Sequence, residues 1–381
     1  MAEAMVAMRT KLQPRLCFRK EIGRGNAGSV WSVDVLPGPR DHHHQGDQDD
    51  DKGQHVQDPV RVKAKDGAVV AVVAVKLFED KHKAYRELLV MADLMAGLAE
   101  EASGAGKHVA KLLFCKLVRH RDQLGIVLQL CTNGDMFDQV SFGVLPLEVC
   151  SFYFKQLSTA VTYLEGRRVC HRDIKLENML LDSTWTLQLC DFGVAATWPA
   201  SIKSPCCPDL AGSEPYCAPE VLAVGTVAEH DVFEASQAGG FNTYDPRKSD
   251  VWSCAVVLFE MMFGHPLLGS GRASKGNVYF DSLEACDFEG FWRHHSNSVA
   301  FFTPPSHGFM PPGTSLSYCL KQTQGVVKQG LQVNPQRRVT TAEMVKQLEM
   351  ICLMPSATHV AGFMQGHASS ASSASSASSA S

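Results

Sequence analysis

No run of about 18 apolar residues occurs anywhere in the chain, so no membrane-spanning helix is expected. No C-x-x-C occurs either, and the thirteen cysteines are scattered singly apart from Cys206-Cys207. An odd count without paired spacing argues against a disulfide framework and against a zinc site. Reduced thiols in a cytosolic or nuclear setting fit better. Excess charge is also lacking. The net value of −4 offers no attraction to nucleic acid or to an anionic membrane surface. The apolar piece Ala4–Met8 has no basic stretch before it and is too short for a secretory signal. What is present is a 45% apolar composition, ordinary for a chain that buries a sizeable core.

The pattern changes along the chain. Residues 1–15 form a leader without periodicity, and strand-like stretches from Leu16 to Leu36 surround a glycine-rich turn. Residues 37–67 carry Pro-Gly-Pro, His42-His43-His44, Asp49-Asp50-Asp51 and many glutamines. That composition cannot offset its ordering entropy and predicts a disordered insertion; a metal held by the three histidines is the weaker alternative. Val69–Phe78 is a β-branched run that predicts a buried strand. Tyr85, Leu88, Leu89, Ala92, Met95 and Leu98 recur at helical spacing. Leu112–Val118 and Leu124–Leu130 predict a strand pair joined by a polar turn. Beyond residue 130, Val149 to Leu164 and Ser249 to Phe263 read as helices. The chain is thus strand-rich over about 16–130 and helix-rich over about 131–350, an α+β architecture of two lobes. Residues 351–381 end in Ser-Ser-Ala repeats and predict a flexible tail.

The chemistry is concentrated in His171-Arg172-Asp173-Ile174-Lys175-Leu176-Glu177-Asn178, which fits H-R-D-x-x-x-x-N. Upstream, Gly23-Arg24-Gly25-Asn26-Ala27-Gly28-Ser29-Val30 fits G-x-G-x-x-G-x-V. Dinucleotide-binding turns share part of that pattern, but here strands flank it and no helix follows. Lys76 ends the run Val73-Ala74-Val75-Lys76, where a buried ammonium is costly without a purpose. The alternative is an edge lysine that snorkels to solvent. Glu87 is its candidate partner on the next helix, because Glu79 is too close to lie there. Downstream stand Asp191-Phe192-Gly193, Ala218-Pro219-Glu220 and Asp250-Val251-Trp252-Ser253.

These motifs, in this order, resemble the eukaryotic protein kinase family over roughly residues 16–350. Lys175 and Gly212-Ser213-Glu214-Pro215-Tyr216 are similar to serine/threonine kinases, and the set looks most like the calcium/calmodulin-dependent and AMP-activated group. The resemblance implies the bilobal kinase fold, ATP and Mg²⁺ as cofactors, and proteins bearing serine or threonine as substrates. It implies that Asp173 accepts the proton, that Lys76 and Lys175 hold phosphates, and that Asn178 and Asp191 hold Mg²⁺. ATP would also meet Ile22, Gly23, Gly25, Gly28, Val30, Ala74, Leu128, Gln129, Cys131 and Leu180. Asp135 and Glu177 fall where relatives meet ribose and basic peptide residues, which favours arginine or lysine before the target. Glu220 would pair with Arg338 as a structural contact. Arg172 needs a negative charge from the activation segment. Asp209 stands where relatives carry a phosphothreonine, and Ser201, Ser204 and Ser213 are further candidate modification sites. A solvated Asp209 on a mobile loop is the alternative.

Two departures stand out: Ala255 replaces a usual glycine, and Gln129 replaces a usual hinge glutamate. Residues 223–247 and 265–330 are long for the family and read as lineage-specific loops rather than docking surfaces. No EF-hand loop follows, so direct calcium control is not expected. A pseudokinase or scaffold is the alternative function, disfavoured because Lys76, Asp173 and Asp191 are all present; a small-molecule kinase is disfavoured by Ala218-Pro219-Glu220. The sequence carries no signal for an oligomeric state.

Overall fold

A computed structural model of the chain describes residues 15–25, 28–36, 61–63, 69–100, 104–113, 117–224, 243–299, 302–306, 308–312 and 315–378. The chain divides into two compact units, residues 1–102 with 110–132, and residues 103–109 with 133–381.

Among the described residues, the first unit is an antiparallel sheet with one helix. Strands β1 (Arg15–Gly25), β2 (Gly28–Leu36), β3 (Arg61–Lys63), β4 (Val69–Phe78), β5 (Val118–His120) and β6 (Gln123–Leu128) run in the order β1-β2-β4-β6-β5, with β3 beside β4. Side chains alternate across a strand. Val73, Val75 and Leu77 therefore share one face and pack with Val33 and Val127. Ala74 and Lys76 take the other. Helix α1 (Lys81–Glu100) follows β4 directly, its first turn capped by Asp80, which accepts from His82 N at 2.8 Å.

Two expectations are corrected here. Arg61–Lys63, inside the stretch read as disordered, pairs antiparallel with Val69–Ala71 at the start of β4. The rest of that stretch, His42–His44 included, lies outside the described residues. The strand read from Leu112 begins at Val118; Leu112 makes only an isolated bridge to Leu128. A tight turn with Arg121 at φ 52° joins β5 to β6.

The second unit is mainly helical. Helices α2 (Met136–Phe142) and α3 (Leu147–Gly166) precede four short strands, β7 (Val169–Cys170), β8 (Met179–Leu181), β9 (Leu187–Leu189) and β10 (Ala196–Thr197). Then come α4 (Pro219–Val224), α5 (Pro246–Phe263), α6 (Val278–Glu284), α7 (Phe288–His294), α8 (Ser296–Val299), α9 (Leu316–Gly330), α10 (Thr341–Ile351) and α11 (Ala357–Ser378). Helix α5 is buried along its length, so it reads as apolar all round rather than amphipathic. Asp245 caps it at one end, and Gly264 at φ 68° ends it. Ala255 has room because α9 presents Gly330 to it. A Cβ on Gly330 would lie 2.5 Å from that of Ala255.

Residues 265–330 are not plain loops. They carry α6 to α9 and an aromatic cluster on Phe259 and Phe263 of α5. His295 sits in that cluster, 3% exposed, stacked on Tyr279 at 4.5 Å and 4.7 Å from both Phe259 and Phe291. Burial pushes its imidazole down from 6.5 to about 4. Between those values the unfolded chain takes up a proton that the folded chain refuses. Stability is therefore full above pH 6.5 and falls as pH drops toward 4. Relative to His295→Phe, the wild type is expected to lose about 1.4 kcal/mol per pH unit in that window. Urea midpoints measured from pH 7 to pH 4.5 check this. A gap that stays constant with pH would contradict it.

The tail is also corrected. Residues 357–378 form α11, whose first turn is capped by Ser356 (His359 N to Oγ, 3.2 Å). Val360 and Met364, four apart, are buried and hold the helix to the unit. The alanines of the repeat then continue it, because alanine has the highest intrinsic helix propensity.

Candidate functional site

The first unit contributes a glycine turn and a buried ion pair. Gly23 and Gly25 close β1, and Gly28 opens β2 opposite Gly25. Gly28, at φ 145°, cannot carry a side chain, since a Cβ would fall 1.8 Å from Leu77 O on β4. The sheet itself demands that glycine. Lys76 Nζ lies 2.8 Å and 3.0 Å from the two carboxylate oxygens of Glu87. Lys76 is 7% exposed and Glu87 fully buried. About two helical turns after Asp80 carry Glu87 back to Lys76 of β4. Val30 pairs with Lys76 across the strands, and Ala74 with Leu128, while Ile22 is exposed. Gln129 N donates to Lys111 O at 2.9 Å, and its side-chain Oε1 is buried without a hydrogen-bond partner among the described residues. Cys131 is half-buried.

The second unit builds the H-R-D loop on α5. Asp250 accepts from His171 N and Arg172 N, each at 2.8 Å, which pins the loop to the most buried helix of the unit. Burial pushes the Asp250 carboxyl up to about 7, against the pull of those two N–H groups. His171 Nε2 lies 2.8 Å from Cys190 O, and burial lowers its pKa. Asp173 Oδ2 is 2.9 Å from Lys175 Nζ and 3.2 Å from Asn178 Nδ2. Asp173 Oδ1 is buried and has no hydrogen-bond partner among the described residues. Lys175 Nζ also donates to Ser213 Oγ at 2.7 Å. Gly212 makes that approach possible. At φ 101°, its Cβ would sit 2.4 Å from Arg172 O. Cys190 N donates to Asn178 O at 3.0 Å, so the β8–β9 hairpin holds Asn178 beside the start of Asp191-Phe192-Gly193. Asp191 takes φ 67° and accepts from Gly193 N at 3.2 Å.

A family model described as the protein kinase domain matches residues 60–348. The chain belongs to the protein kinase family. Its relatives include "CBL-interacting serine/threonine-protein kinase 18" of Arabidopsis thaliana, 32% identical over 195 residues, 51% of this chain and 33% of that protein. "Serine/threonine-protein kinase chk1" of Schizosaccharomyces pombe is 34% identical over 141 residues, 37% of this chain and 25% of the relative. "CBL-interacting protein kinase 29" of Oryza sativa subsp. japonica is 34% identical over 174 residues, 45% and 34% of the two chains. The matched part spans a quarter to about a third of these relatives' length. The glycine turn and α11 lie outside the matched kinase domain.

Kinases of this family use ATP with a divalent metal, generally Mg²⁺. The donors here fit it: one carboxylate, Asp191, and one carboxamide oxygen, Asn178, whose amide nitrogen is engaged by Asp173. Mg²⁺ takes such a sparse set when phosphates and water complete its octahedron.

The remaining site residues of the kinase fall into three contacts. Asp135 caps α2, accepting from Asp138 N at 2.9 Å, and bridges to Leu180 of β8. Burial first, then the charges of Asp138 and Glu177, raise its pKa. Glu177 is exposed. Glu260 was not read from the sequence. It lies in α5, accepts from Tyr216 OH at 2.7 Å, and is pushed up to about 7 by burial, with Glu177 adding to the rise. A carboxylate inside the apolar run Val256 to Phe263 was the available signal. In the second contact, Arg172 donates to Val194 O at 2.7 Å and to Asp209 Oδ1 at 2.8 Å. Burial opposes the Arg172 charge, but Asp209 and the Tyr244 hydroxyl hold its pKa above the usual guanidinium value. In the third, Arg338 meets Glu220, with Nη2 to Oε2 at 2.7 Å.

Proposed function

We propose that the chain is a serine/threonine protein kinase that transfers the γ-phosphoryl group of ATP to a serine or threonine hydroxyl of protein substrates with basic residues before the target. Asp173 Oδ1, buried and without a hydrogen-bond partner among the described residues, carries this reading. Its neighbour Oδ2 is fixed by Lys175 and Asn178, so Oδ1 is oriented to accept the hydroxyl proton. The hydroxyl oxygen bonds to phosphorus as the bond to ADP breaks. Lys175, held by Ser213, supplies positive charge where the transferred group is most negative. Lys76, kept in place by Glu87, is the phosphate anchor of the first unit. Mg²⁺, when bound by Asn178 and Asp191, would offset phosphate charge.

The basic preference rests on Asp135, which caps α2, and on the exposed Glu177 of the turn that α2 packs against, where a guanidinium would relieve the repulsion of two carboxylates. The test is phosphate incorporation into a serine peptide with arginines before the target, against the same peptide with alanines. Equal rates would refute the preference, and no transfer to either peptide would refute the kinase reading.

Asp209 supplies the charge that Arg172 requires, so activity does not wait for phosphorylation of the activation segment. The Asp209 side chain is 56% exposed and that of Arg172 only 6%. Solvent weakens the pair, and Asp209→Ala is expected to lower kcat by roughly twofold to fivefold. Protein free of phosphate by mass spectrometry is the material to assay. Full activity in the variant would remove Asp209 from this role. The scattered spacing of the cysteines, with no C-x-x-C, supports a reducing compartment, cytosolic or nuclear. Thiol labelling of the freshly isolated protein checks it.

A further inference from the structure

Helix α2 stands between α11 and the catalytic loop. At its N-terminal end, Asp135 is its cap, and the chain just before it is tied to β8: Asn133 N donates to Leu181 O at 3.1 Å, and Leu181 N to Gly134 O at 2.9 Å. The helix packs on the turn Leu176–Asn178, which holds Glu177 and Asn178. At its other end stands His367 of α11. The His367 Nε2 lies 3.0 Å from Gln139 O. Its ring packs 5.5 Å from Phe363 and 6.4 Å from Phe142, and a Cβ on Gly143 would come within 3.4 Å of it. Val360 and Met364 bury the same helix against the unit.

A seven-residue helix has little stability of its own. Its position is set by what it packs against. One neighbour is the catalytic loop; the other is α11, which lies beyond the matched kinase domain.

We propose that α11, through His367, braces α2 and so positions Asp135 and Glu177 for the basic residues of the substrate. His367 is a positioning residue and touches no substrate. This rests on the substrate reading above, and the experiment separates the two. His367→Ala, in the full 381-residue chain, is expected to raise KM for the arginine peptide roughly threefold to tenfold, the change one hydrogen bond supports. KM for the alanine peptide and kcat stay as in the wild type. His367→Gln, which keeps a donor at the Nε position, restores KM. In an Asp135→Asn background His367→Ala has no further effect on KM. Hydrogen exchange supplies a readout independent of activity. The amides of Val140 to Gly143 should exchange faster in His367→Ala by a similar factor, with Tm unchanged.

Unchanged exchange in α2 would overturn the brace. So would a KM shift of equal size with and without Asp135. If the wild type fails to prefer the arginine peptide, the substrate reading falls, and the exchange of α2 alone then decides whether α11 holds that helix.

Discussion

Asp173→Asn is expected to reduce kcat by about a thousandfold while the protein stays folded. Asparagine has the shape of aspartate and can still meet Lys175 and Asn178 through its oxygen. What it cannot do is take a proton, and general-base assistance contributes on the order of 10²–10⁴. The loss therefore falls on the chemical step. KM for ATP should hardly move, because none of the groups assigned to the nucleotide is altered. Single-turnover transfer to the arginine peptide, with thermal unfolding as the control for fold, measures both. A variant that retains wild-type kcat would place the base elsewhere. Asp173→Asn and wild type both inactive, with ATP still bound, would mark the chain as a pseudokinase.

The second large effect concerns stability. Arg338 is buried, donates to Glu220, Lys248 O and Gln332 O, and lies 5.0 Å over the ring of Trp252. Arg338→Met leaves the Glu220 carboxylate without its partner in a poorly hydrated site. Breaking a buried pair from one side costs about 3–5 kcal/mol. For a unit of this size that lowers Tm by roughly 6–20 °C. The carbonyls of Lys248 and Gln332 also lose a donor, which adds to the loss. Adding Glu220→Leu to Arg338→Met should recover part of it, since the isolated charge is then gone. Calorimetry on the two proteins decides this. An equal Tm for Arg338→Met and wild type would mean the pair contributes nothing, and a further fall on adding Glu220→Leu would point to packing rather than charge.

Much of the site was legible because its parts are local in sequence. His171 to Asn178 is one loop, and the glycine turn is one hairpin. Lys76 and Glu87 are 11 residues apart, joined by a single strand end and helix start. Their pairing follows once β4 and α1 are recognised. Contacts between distant segments left weaker traces. Ser213 and Lys175 are 38 residues apart, and the sequence offered Ser213 as a modification site rather than as a partner of that lysine. Glu260 hid inside a helix that is apolar on every side, where periodicity marks no face for a carboxylate. The tail misled through composition. Ser-Ser-Ala carries no apolar stripe, while the stripe that docks α11 lies just upstream in Val360, Met364 and His367. Arg61–Lys63 is the same case in miniature: three residues, too few for periodicity, recruited by the edge of β4.

The bond from His367 to Gln139 joins residues 228 positions apart. A ribosome adding about 5–20 residues per second makes Gln139 roughly 10–50 s before His367. From Asp191 until His367 is added, the growing chain contains α2, the catalytic loop and the residues assigned to phosphate, but no helix against the far end of α2. Each new molecule thus passes through a period in which its catalytic loop is made and the acids proposed to meet the substrate lack the contact with His367. Translation itself sets the order: the machinery first, the brace last.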